Sequence, residues 1–170
     1  MSAASTCPGC GLVRQASGFV YDRKFNASAE CWALFEQVIA EEFQNAPLFG
    51  RAHQITVDAY AVQHAGGRHP DKSVCVHLAG LYLTMERGVA PADVPLRLQR
   101  LASRMTSWPH FEVPAARASL TVHDVVLASG AAEAHIRAVQ AWGRGVWNAW
   151  AAHHDAVRRL LEPAAGGRVL

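Results

Sequence analysis

Between residues 28 and 43 the apolar positions Trp32, Phe35, Val38, Ile39 and Phe43 recur at helical spacing, with Glu36, Glu41 and Glu42 elsewhere on the wheel. This predicts a helix to about Phe43, capped by Asn26 or Ser28. Pro47 suits a first helical turn, and Gly66-Gly67 ends the segment it opens. The stretch between is two-valued. Ile55, Val57, Ala59 and Ala61 alternate as in a strand, whereas His53, Val57, Tyr60 and His64 share a helical face at steps of 4, 7 and 11 residues. The helical neighbours and the Pro47 start favour a helix. The next one begins at Asp71 or Ser73 and stops at Gly88. Pro91 opens another, with Leu96, Leu98, Leu101 and Met105 as its buried side.

Residues 108–118 carry two prolines and read as a loop, and Leu120 to Ala128 as a short helix capped by Thr121. A long helix runs from about Ala131 to Leu161, closed by Pro163 and Gly166-Gly167. On it His135, Val139, Trp142, Val146 and His153 form one stripe, with Trp147 and His154 on another; aromatics so spaced are core packing. Gly143 and Gly145 each cost that helix roughly 1 kcal/mol against alanine, which predicts a packed neighbour or a kink. Residues 1–27 show no period. The chain therefore divides into an irregular N-terminal segment (1–27), a helical domain (28–162) and a tail (163–170). The predicted fold is mostly α: a single-domain helical bundle with an irregular N-terminal segment.

Composition fits that picture. The chain has 170 residues, 51% of them apolar and 18% charged, which is globular and sized for one domain. A net charge of +2 argues against an acidic partner. Arg97, Arg100, Arg104, Arg158 and Arg159 are scattered rather than forming a basic stripe, so no nucleic acid is expected. The apolar stretch from Val74 to Met85 is short of the ~20 residues that span a bilayer, so no membrane is expected either. The opening residues MSAAST have neither a charged n-region nor an apolar h-region, which predicts no secretory signal and a cytoplasmic location. Thiols stay reduced there, and the four cysteines point to metal binding or catalysis before disulfides.

Cys7-Pro8-Gly9-Cys10-Gly11 is the sharpest local feature. Two thiolates separated by two residues, in a glycine-containing turn, form a knuckle whose backbone N–H groups can point at the sulfurs. Zinc takes four ligands, and Cys31 is the natural third, in the first turn of its helix where the macrodipole favours a thiolate. The fourth is a histidine, Cys75 or water. His64, bordering the glycine loop, is the preferred fourth ligand, with His53 or His77 as alternatives. The other readings are a pair of reduced cysteines on a loose terminus, with Cys31 in the core, or a thioredoxin-like redox pair. The latter needs a strand before it and a helix after it. Cys75, beside Val74, Val76 and Leu78, reads as core.

Nine histidines leave room for a second site. His53 and His64 on one helix would stand about 16 Å apart, too far to share an ion. His64 and His77 flank the 66–72 loop and could converge, with Asp58 orienting a ring. His153 and His154 follow Trp150, so one ring could face inward toward the other histidines and one outward. Tyr60 lies among these candidates. No HExxH or facial carboxylate pattern accompanies them, and the plainer reading has His77 as a satisfied core residue and His69 as a loop residue.

Taken together, CPGCGL, ECW at 30–32, HQITVDAYAVQHAGG at 53–67, SVCVHLAGLYLTMERG at 73–88, LTVHDV at 120–125 and VWNAWAAHH at 146–154 resemble an uncharacterised bacterial family of unknown function. The likeness runs from roughly Cys7 to Arg159 and includes an H-x4-D-x-Y-x3-H block and a closing Trp before paired histidines. It implies no known activity. It does imply that Cys7, Cys10, Cys31, His53, Asp58, Tyr60, His64 and His77 are the residues to examine first. The expected function is metal binding, with zinc in a structural role. Two alternatives stand beside it: a metalloenzyme using histidines and Asp58, and a zinc-stapled adaptor for a protein partner.

Overall fold

The structure, a computed structural model, describes residues 4–18, 20–21 and 24–162, so the 163–170 tail with Pro163 and Gly166-Gly167 lies outside the described residues. It is mostly helical. The N-terminal segment, expected to be irregular, contains a small antiparallel hairpin: β1 (Ala4–Thr6) pairs with β2 (Val13–Gln15), Ser5 opposite Arg14. The hairpin brackets the CPGCG turn. Gly11 there has φ +80°, a left-handed conformation that glycine adopts without Cβ strain.

Helix α1 (Ala29–Gln44) is capped by Ser28, whose side chain accepts from the Cys31 N–H. Its buried stripe is Cys31, Phe35, Val38 and Glu42, at steps of 4, 3 and 4. Phe43, expected on that stripe, is 64% exposed. A buried carboxylate holds the inward position instead, because three side chains donate to it. After Asn45 the chain stays helical from α2 (Ala46–Leu48) through a π-helical turn (Phe49–His53) into α3 (Gln54–Gln63). The ambiguous stretch is thus helix. Helix α3 is buried at nearly every position and packs against α4 (Asp71–Met85) and α7 (Ala132–Ala149). Alternating small apolar residues therefore mark a helix enclosed on all sides rather than a strand.

A 3-10 turn (Pro91–Asp93) leads into α5 (Val94–Arg104), which buries Val94, Leu98 and Leu101. Leu96 is 55% exposed, against expectation. Positions 94, 98 and 101 share a face, and residue 96 falls on the opposite one. Residues 105–121 contain no helix, and α6 (Val122–Leu127) begins with a capping box between Thr121 and Asp124.

The expected single C-terminal helix is two. Helix α7 ends at Ala149, a 3-10 turn spans Ala151–His153, and α8 covers His154–Leu161. The break has a local cause: His154 Nε2 lies 2.9 Å from the Trp147 carbonyl, and the two rings stack 3.7 Å apart. The Trp147 carbonyl, which a continuing helix would offer to residue 151, accepts instead from the Trp150 N–H at 3.0 Å and from the His154 ring. Gly143 is explained by packing, since a Cβ there would sit 2.6 Å from Ile55 and 2.9 Å from Met85. At Gly145 a Cβ would meet, among the described residues, only Ala118, at an ordinary 3.7 Å. Among the described residues no helix is long and apolar enough to cross a membrane.

Candidate metal centre

Cys7, Cys10, Cys31 and His64 converge. One ligand atom from each lies within 4.8 Å of the others, and all four residues are buried. Three local devices bring them there. Cys7 and Cys10 are set by the tight turn, in which the Gly11 N–H donates to the Cys7 carbonyl and the Cys7 N–H to the Leu12 carbonyl. Gly9 leaves the turn free to press against α3: a Cβ there would be 2.5 Å from the Asn26 carbonyl oxygen and 2.7 Å from the His64 ring. The Ser28 cap fixes Cys31 in the first turn of α1, where the helix dipole favours negative sulfur. His64 closes α3. Its Nδ1–H donates to the Tyr60 carbonyl at 2.7 Å, which turns Nε2 toward Cys31 Sγ at 3.3 Å.

The Sγ atoms of Cys10 and Cys31 are 3.7 Å apart, and the four cysteines are free thiols. Without a cation, three sulfurs this close cannot all ionise. Hydrogen bonds from Cys10 and Cys31 drive Cys7 toward thiolate, while the same contacts with Cys10 and Cys7 hold Cys31 protonated. Burial opposes charge on His64, yet hydrogen bonds to the Cys10 and Cys7 sulfurs outweigh it and raise its pKa to about 9. A cluster of three thiols and one imidazole, buried and offering four soft donor atoms, could hold a metal ion. The Tyr60 hydroxyl donates to Cys31 Sγ at 3.8 Å, and burial first, then Cys31, pushes its pKa upward. Tyr60 thus supports the centre rather than joining it.

The remaining sequence candidates go elsewhere. His77 does not meet His64; its Nδ1 bonds Asp58 Oδ1 at 2.7 Å. Asp58 is fully buried and also accepts from Gln54 at 2.9 Å, while its Oδ2 has no hydrogen-bond partner among the described residues and lies against Gly80. Burial raises its pKa, against the opposing pull of His77 and Gln54. His53 Nδ1 bonds Glu42 at 2.9 Å. His153 and His154 each bond a backbone carbonyl, of Glu112 and Trp147, instead of turning one ring toward the other histidines. Cys75 is buried and donates to the Pro109 carbonyl at 3.2 Å.

Sequence reasoning missed the polar knot at Glu42. This buried carboxylate accepts from His53, from His135 Nε2 at 3.0 Å and from Thr56 at 2.5 Å. Burial disfavours its charge, but His135, His53 and Thr56 together hold its pKa below the usual carboxylate range. The only available signal was a glutamate continuing the Cys31-Phe35-Val38 stripe. Arg117 was also missed; its guanidinium donates to the Pro8 carbonyl at 3.0 Å and lies over Gly11.

Residues 5–151 match the profile of a family of unknown function, DUF5946, and the chain belongs to that family. No curated protein and no solved structure matches the chain.

Proposed function

We propose that this member of the family binds one zinc ion through Cys7, Cys10, Cys31 and His64, and that the ion staples the N-terminal hairpin to the helical body of residues 28–162. The observation that carries the reading is the convergence of three buried sulfurs and one imidazole nitrogen within 4.8 Å. Zinc suits this donor set: with Zn–S near 2.3 Å and Zn–N near 2.0 Å, a tetrahedron has edges of about 3.8 Å between sulfurs and about 3.5 Å between sulfur and nitrogen. The observed spacings are 3.7 Å for Cys10–Cys31 and 3.3 Å for Cys31–His64. Four protein donors fill the coordination sphere and leave no position for substrate, which favours a structural ion over a catalytic one. Free thiols of this kind persist in a reducing compartment, in keeping with a cytoplasmic protein.

Replacing Cys7 or Cys10 with serine should remove about one zinc per chain, because a Cys3His site loses most of its affinity with one thiolate. The same variants should expose residues 4–27 to protease. Full zinc content and unchanged protease resistance in both would defeat the proposal. Metal analysis and limited proteolysis of the purified chain supply both readings.

A further inference from the structure

Behind the knuckle lies a cavity of about 160 Å³, bounded by Pro8 and Gly9 on one side, residues 113–118 on another, and Gln63, Val146 and Trp150 beneath. An apolar cavity of about 150 Å³ admits a benzene ring, so this space is too small for a nucleotide or a lipid and right for a single small organic body. Most of the residues around it are apolar, with Val62, Val146 and Trp150 among them, while polar atoms make up about half of the lining surface. The polar groups that line it are largely committed: Gln63 accepts from Trp142 and donates to the Leu120 carbonyl, and Asn26 donates to the Ala65 carbonyl. Among the described residues Arg117 is the only charged one in the lining. One of its N–H groups holds the Pro8 carbonyl, and a guanidinium has five donors in a planar fork, so others remain for a ligand. No carboxylate among the described lining residues competes for them.

We infer that this cavity is a binding site for a small organic carboxylate, its apolar body against Val146 and Trp150 and its anionic end on Arg117. The inference rests on the zinc reading in one respect. Pro8 and Gly9 form one wall and supply the carbonyl that positions Arg117, and they stand between two of the zinc ligands. The cavity is complete only when the knuckle is folded, so the ion shapes a binding site without touching the ligand.

The test uses the full chain loaded with zinc, with benzoate as the probe in ligand-observed NMR titration. Benzoate should bind saturably, and neutral benzamide at least about tenfold more weakly, as loss of one charge-assisted bond predicts. Arg117→Gln should weaken benzoate by a similar factor with zinc content unchanged, and Arg117→Lys should retain part of the binding. Absence of saturable benzoate binding, or equal binding of benzamide or by Arg117→Gln, overturns the site. Benzoate affinity that survives removal of the metal overturns its dependence on the knuckle. A chain that takes up no zinc overturns the earlier proposal instead, and metal analysis reveals that before any benzoate is added.

Discussion

Gly80 shows how little space single atoms leave around the buried carboxylates. A Cβ there would lie 2.1 Å from Asp58 Oδ2, inside a helix whose backbone cannot easily yield. Gly80→Ala gains roughly 1 kcal/mol of helix propensity but overpacks the site by about 1–3 kcal/mol, so a net loss of stability is expected in urea denaturation. A variant as stable as the parent would mean that Asp58 has another place to go. His69 yields a pH prediction. Burial pushes its pKa down to about 4, while the unfolded chain titrates near 6.5. The folded state therefore binds fewer protons between those values, and stability present above pH 6.5 is lost as the pH falls toward 4. At pH 5 the loss should be on the order of 2 kcal/mol, and His69→Gln should escape it, which urea denaturation of both proteins at pH 7 and pH 5 checks. At the centre itself, His64→Ala should lose zinc whereas His77→Ala and His53→Ala keep it, as counted by metal analysis. The cysteines and His64 were legible because a knuckle and a helix end are local signals. Glu42 with His135 was not, since its partner lies 93 residues away and no period links them.

Among the elements, α3 and α7 meet through Trp142 and Gly143. Trp142 is fully buried, and its indole N–H donates to Gln63 at 3.0 Å. Trp142→Ala should cost about 3–5 kcal/mol, since it opens a large cavity and leaves the Gln63 oxygen unpaired. Trp150, also buried, should behave alike on truncation. A Tm that does not move for either substitution would contradict this packing. Helix positions were legible from apolar spacing and from caps such as Ser28 and Thr121. The interruption after Ala149 was not, because Trp147 and His154 look like any aromatic pair until a ring nitrogen is seen on a main-chain carbonyl. Leu96 and Phe43 misled for a related reason: hydrophobicity marks what can be buried, and geometry selects what is.

For the molecule as a whole, stripping the metal with a chelator should leave most far-UV helical signal intact, since α3, α4 and α7 pack without help from the cysteines. Protease cuts should concentrate before residue 28. Loss of all helical signal would show instead that the ion supports the entire fold. The sequence separations within the centre then matter in another way. Cys10 and Cys31 are 21 residues apart, and Cys31 and His64 are 33 apart. A zinc ion joining them ties two loops of the unfolded chain, each a constraint comparable to a disulfide worth about 3–4 kcal/mol, but one made and broken by mass action. Each tenfold fall in free zinc should then remove about 1.4 kcal/mol of stability until the site empties. The docked fraction of the N-terminal segment becomes a gauge of the metal supply around such a chain, and starvation for zinc would be felt as faster proteolysis of that segment.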